Sequence, residues 1–135
     1  MPATPVRMNP ASLPDTGKIG YSQISIAHSS HLAFVSGQVA WRAAGGVVPE
    51  TIAEQTVIVI ENLQHALKAL DASAKDIVQL RLYLTDTGAQ TQAIVMPLIM
   101  SFLDGVQPSL TGIGVTSLAA PELLIEVEMV VQAPA

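Results

Sequence analysis

No cysteine occurs among the 135 residues. That excludes thiol nucleophiles, disulfides and thiolate metal sites, and it suits a reducing compartment. Charge is also sparse, at 13% of residues, with a formal net charge of −5. The six basic residues, Arg7, Lys18, Arg42, Lys68, Lys75 and Arg81, are scattered. They form no basic stripe and no aromatic–basic cluster, so no nucleic-acid partner is expected. No apolar run reaches membrane-spanning length, because Pro97 or charges interrupt the longest candidates. The proline-rich start lacks the apolar segment of a signal peptide, and the expected location is the cytoplasm.

Half of the residues are hydrophobic. A domain that apolar is expected to hide surface in an oligomer interface. The length fits one domain over residues 1–135 that needs no disulfide or metal staple. Residues 1–18 read as an irregular arm.

Tyr21 to His28 and Leu32 to Val39 read as two strands of a hairpin, with the turn at His28-Ser29-Ser30-His31. Thr51 followed by Glu54 is a helix-capping signal. Behind it, Ala53, Val57, Ile60, Leu63, Leu67 and Leu70 recur at helical spacing, and the helix should end near Asp71 to Ser73. Ile77 to Leu84 alternates as a strand, with Val78, Leu80, Leu82 and Leu84 on one face and Gln79, Arg81 and Tyr83 on the other. Ala89 to Leu103 reads as a second helix with Ile94, Leu98 and Phe102 inward; Pro97 should kink or split it. Leu110 to Ser117 and Leu123 to Val131 are the last strands. This order predicts an α+β sandwich, a mixed sheet with two helices on one face.

The opposite sheet face should carry Gln79, Arg81 and Tyr83 together with Glu126 and Glu128. Leu110, Gly112 and Gly114 are assigned to it as well. It reads either as a solvated face with ion pairs or as an interface with another subunit. Alternating glycines favour the second, since they mark close approach of a ligand or a backbone.

Several segments resemble the Rid (YjgF/RidA-like) family. They are Arg7–Pro10 (RMNP), Gly20–Gln23 (GYSQ), Val35–Gln38 (VSGQ), Asn62-Leu63, Val78–Asp86 (VQLRLYLTD), Pro108–Thr111 (PSLT) and Pro121–Glu128 (PELLIEVE), in the family's order. The resemblance implies a chorismate-mutase-like fold and a homotrimer whose sheets form a central β-barrel, with a small-molecule cleft at each subunit boundary. It also implies cofactor- and metal-free hydrolysis of enamines or imines to a ketoacid and ammonia. Carried over by position, Tyr21, Ser36 and Gly37 line the cleft. Leu110, Thr111 and Gly112 contact the ligand, Gly112 through its backbone. Glu126 is the catalytic candidate, positioning water. Leu110 stands where the deaminases have an arginine that grips the substrate carboxylate. Two charge-assisted hydrogen bonds are thereby lost, each contributing about 1.5–3 kcal/mol. The expected substrate therefore lacks the usual α-carboxylate, and activity on standard 2-imino acids should be weak.

Other readings stay open. A noncatalytic metabolite-binding or chaperone-like trimer fits the missing arginine, and ribonuclease activity is known in the family but conflicts with the acidic charge. Glu126 and Glu128, about 6.5–7 Å apart by strand rise, could form a hydrolytic carboxylate pair, or one could pair with Arg81. Arg42, beside Trp41, could replace the missing clamp or be a solvated loop residue. His28, His31 and His65 lack metal-ligand spacing beyond the His28–His31 pair, which has no carboxylate beside it.

Overall fold

The architecture was obtained as a computed structural model and is described for residues 3–29 and 31–134. Ser30, in the expected turn, lies outside the described residues. Among the described residues, six strands and two α-helices run in the order β1 (Val6–Met8), β2 (Ile24–Ile26), β3 (Leu32–Gln38), α1 (Ile52–Ala69), β4 (Ile77–Leu84), α2 (Ala89–Leu103), β5 (Ser109–Gly114) and β6 (Ile125–Gln132). The main sheet has the order β3-β6-β4-β5. The β4–β5 pair is parallel, while β3–β6 and β4–β6 are antiparallel. Both helices pack on one face of this mixed sheet, as expected.

The expected hairpin does not form. β2 pairs instead with β1, out of the supposedly irregular arm, and β3 pairs with the C-terminal strand β6. Both pairings are long-range, so local alternation could not reveal them. Arg7 fastens the β1–β2 ribbon to the body: its guanidinium donates to Ser25 Oγ at 2.9 Å and to the Ile77 carbonyl at 2.6 Å. Partial burial pushes its pKa down.

α1 begins where the capping signal places it, with Thr51 Oγ1 accepting the Glu54 N–H at 3.2 Å. Its inward stripe is rotated from the expected one at the start of the helix. Val57 is exposed, whereas Gln55, Thr56, Val59, Leu63 and Leu67 are buried. The buried Gln55 is satisfied by three backbone groups: it donates to the Pro49 and Glu122 carbonyls and accepts from Leu124 N–H. A polar residue so fully partnered can lie in the core, which a hydrophobic count misses.

α2 spans the expected residues without splitting at Pro97, which sits on an exposed position. Its inward face is Thr91, Val95, Ile99 and Leu103, and Ile94 is exposed. The helix is apolar on most sides, so its periodicity left the face ambiguous by one position. The Asp86 carboxylate holds its start, accepting from Gly88 N–H and from the Thr91 hydroxyl, both at 2.8 Å. These bonds pull the Asp86 pKa down.

Under the helices, Leu80, Leu82 and Leu84 of β4 meet Met129, Val127 and Ile125 of β6, all buried. An irregularity between Ile77 and Gln79 turns Ile77 inward in place of Val78. The outer face expected from alternation holds for β4 from Gln79 onward and for β6, and is inverted for β5. Register pairs Leu110 with Leu80, Gly112 with Leu82 and Gly114 with Leu84. Those three residues therefore share the helix-covered face, and Leu110 packs against the main core cluster. Thr111 and Ile113 stand beside Arg81 and Tyr83. β5 carries apolar residues at both parities, so only its pairing could decide the face.

Candidate functional site

The open sheet face is charged along its centre. Arg81 and Glu128 are cross-strand partners, and their side chains pair at 3.3 Å. The Tyr83 hydroxyl donates to the same Glu128 oxygen. That hydrogen bond, reinforced by Arg81, pulls the Glu128 pKa below the usual carboxylate range although partial desolvation opposes it. The same bond is the main cause that raises the Tyr83 pKa. Glu128 is thus bound to Arg81 and Tyr83, the ion-pair alternative for this residue.

Glu126 has a different setting. Its side chain, half-buried, crosses the backbone of Gly37. A Cβ at position 37 would lie 2.7 Å from Glu126 Cγ and closer still to the carboxylate. A side chain here would have to displace Glu126, a constraint of close approach rather than of backbone angle. No salt bridge holds Glu126 among the described residues. Gly37 on β3 and Glu126 on β6 therefore lie against each other, with Ser36 next along β3, toward the β3 edge of the sheet.

Tyr21, Leu110, Thr111 and Gly112 form a second cluster. They line a concavity of about 460 Å³ at the β5 edge, together with Gln23 and Gln79. Tyr21 is brought there because the chain before β2 bridges to the start of β5, with Ser22 N–H donating to the Pro108 carbonyl at 3.0 Å. A side chain at Gly112 would meet nothing within 4 Å, so this glycine opens the wall. Gly114 instead lies under Thr87, whose methyl would be 3.0 Å from an added Cβ.

The two clusters lie toward opposite edges of one sheet: β3 and β5 are three strand spacings or about 14 Å apart, with Glu126 on the inner strand β6 and Gln79 on the inner strand β4. Gln23 and Gln79 were not singled out by sequence reasoning. Gln79 was legible only as a polar position on the outward parity of β4. Arg42 joins neither cluster. It pairs with Glu61 at 3.5 Å and lines a separate concavity with Trp41, Asn62 and His65. Asn62 shapes that loop by donating to the Val39 and Trp41 carbonyls at 3.2 and 2.9 Å. Among the described residues, no group of three or more His, Asp or Glu gathers as a metal site, and no helix is long and apolar enough to cross a membrane.

The class defined by this geometry is a two-layer α+β protein with polar and charged side chains on the open face and edges of a helix-backed mixed sheet. The model of the family described as Endoribonuclease L-PSP matches residues 16–133. The chain belongs to that family, the YjgF/Rid proteins. Among solved structures it is similar to YyfB of the conserved Rid protein family from Yersinia pestis. The identity is 32%, with 96% of this chain and 99% of that one covered at a TM-score of 0.88. It is also similar to Rv2704 of Mycobacterium tuberculosis, a member of the YjgF/YER057c/UK114 family. There the identity is 25%, with 93% and 98% covered at a TM-score of 0.65. A curated relative, the mitochondrial protein mmf2 of Schizosaccharomyces pombe, is 43% identical over 58 residues. That match spans 43% of this chain and 45% of mmf2.

Proposed function

We propose that this protein works in the cytoplasm as a homotrimer that takes a small metabolite into clefts between its subunits, and that it hydrolyses an enamine or imine lacking the usual α-carboxylate. The observation that carries the reading is the division of the site residues between opposite sheet edges. Glu126 with Ser36 and Gly37 lies at one edge, and Tyr21 with Leu110 to Gly112 lies at the other. Neither cluster encloses a ligand alone, and abutting the β3 edge of one copy against the β5 edge of the next would join them. The exposed apolar side chains on the open face support the same contact; Phe34 is 76% exposed.

In this cleft Glu126 holds a water against the C=N carbon and takes its proton. The carbon–oxygen bond forms, the nitrogen is protonated, and the carbon–nitrogen bond breaks to leave a carbonyl compound and ammonia. Ammonia release from a panel of amine-derived imines tests this. Turnover above buffer, lowered about 100-fold or more in Glu126→Gln, is expected, along with little activity on 2-iminopropanoate. A flat response, with an active family deaminase as control, overturns the hydrolase. Light scattering that finds a lone protomer overturns the shared cleft.

The uncharged β5 edge favours a second reading, a noncatalytic metabolite-binding or chaperone-like trimer. Ligand-induced thermal stabilisation without turnover would select it. The family's ribonuclease description finds little support in a chain of net charge −5. An RNA-cleavage assay with Glu126→Ala as control tests that activity.

A further inference from the structure

The concavity at the β5 edge contains no charged side chain among the described residues. Its polar groups divide into two kinds. Some are already committed to the fold: the Ser22 hydroxyl donates to the Gln107 carbonyl at 2.5 Å, Ser109 Oγ lies 2.9 Å from Ser25 Oγ, and Gln23 Nε2 donates to the Pro14 carbonyl at 3.0 Å. The others, among the described residues, are the Tyr21 phenol, the Thr111 hydroxyl and the Gln79 carboxamide, which line the concavity and have no side-chain hydrogen bond within the protein.

Gln79 holds the boundary between two environments. It lines this concavity and also the small one beside it that contains Arg81 and Glu128. Arg81, the nearest cation along β4, is held by Glu128 at 3.3 Å. The wall's own side chains therefore offer hydrogen bonds and no counter-charge; the Arg7 guanidinium stands behind Ser25, already bound to its Oγ and to the Ile77 carbonyl. A carboxylate placed there would lose hydration without gaining an ion pair, which is costly in a crevice. A carboxamide meets the opposite situation. The Gln79 side chain presents an N–H pair and a carbonyl side by side, and a second amide satisfies both at once.

We propose that this wall, with Gln79 as its specificity-determining residue, recognises a neutral carboxamide group of the ligand and rejects the corresponding carboxylate. The inference rests on reading the β5 edge as a ligand-binding wall, and it names the substrate class left open above. Tyr21 and Thr111 supply two further donor–acceptor hydroxyls around the amide, while the Leu110 side chain packs into the core behind the wall.

The test is calorimetric titration of the whole protein with 2-oxobutanamide and with 2-oxobutanoate, which differ only in that group. The amide should bind about tenfold tighter or more, the range expected for two neutral hydrogen bonds against an uncompensated charge. Gln79→Leu should weaken the amide about fivefold and leave the carboxylate nearly unchanged, while Thr111→Val should weaken the amide less. Unchanged thermal midpoints establish that both variants are folded. Equal affinities, a tighter carboxylate, binding of neither probe, or an amide preference surviving in Gln79→Leu would each overturn the inference. Turnover of Glu126→Gln separates it from the hydrolase reading. An amide preference with turnover undiminished in Glu126→Gln sinks the hydrolase and leaves the recognition intact. A missing preference with turnover abolished does the reverse.

Discussion

The two edges of the main sheet differ in kind. At the β3 edge a carboxylate is pressed against a glycine backbone, and one added methyl group would displace it. At the β5 edge the wall is neutral, with an open glycine and hydroxyl and amide groups free to meet a ligand. In the proposed cleft, the first edge holds the reactive group in place and the second recognises the ligand. Between them the Arg81–Glu128–Tyr83 cluster joins β4 and β6 without joining either site. The lesson is that charge on this face is not one feature: Glu126 and Glu128 are two residues apart and have separate roles.

That contrast can be broken at several points. Leu82, buried beneath the helices between the two edges, should support both equally. Leu82→Ala is expected to cost about 2–5 kcal/mol in denaturant unfolding. A loss confined to one edge's ligand response, with stability unchanged, would contradict a shared support. Gly37→Ala should cost about 1–3 kcal/mol, because the methyl group must push Glu126 aside. Turnover should fall with it while binding to the β5 wall persists. Its counterpart Gly112→Ala meets open space and should leave stability nearly unchanged, while narrowing the wall and weakening ligand binding. If the two alanines behave alike, the two edges are not distinct.

The smallest effect concerns pH. Glu128 has a depressed pKa in the folded protein, so its contribution to stability is present above the ordinary carboxylate range. It is lost as pH falls through the depressed folded value. Tyr83 has a raised pKa, so its contribution is present below the ordinary phenol range and lost as pH rises through the raised value. Tyr83→Phe should therefore lower the thermal midpoint modestly at neutral pH. The gap from wild type should narrow at both the acid and alkaline extremes. A gap that is constant across pH would show that the bond to Glu128 contributes nothing.

Much of this molecule was legible in its residues because the relevant physics is local. The alternation of Gln79 to Leu84 fixed β4, though not the irregularity at Ile77, and the cap at Thr51 fixed the start of α1. The alternating acids of β6 fixed which side of that strand faces out. The family motifs supplied Tyr21, Ser36, Gly37 and Glu126 as positions, though not their arrangement. Tertiary structure decided the rest. The pairing of β1 with β2, and of β3 with β6, depends on partners far along the chain. The face of β5 depends on the Leu80–Leu110 register, since apolar residues stand at both of its parities. Gln55 is buried because three backbone groups converge on it, two of them, at Glu122 and Leu124, far along the chain. Alternation tells a strand that it has two sides; only its neighbour in the sheet tells it which side is which.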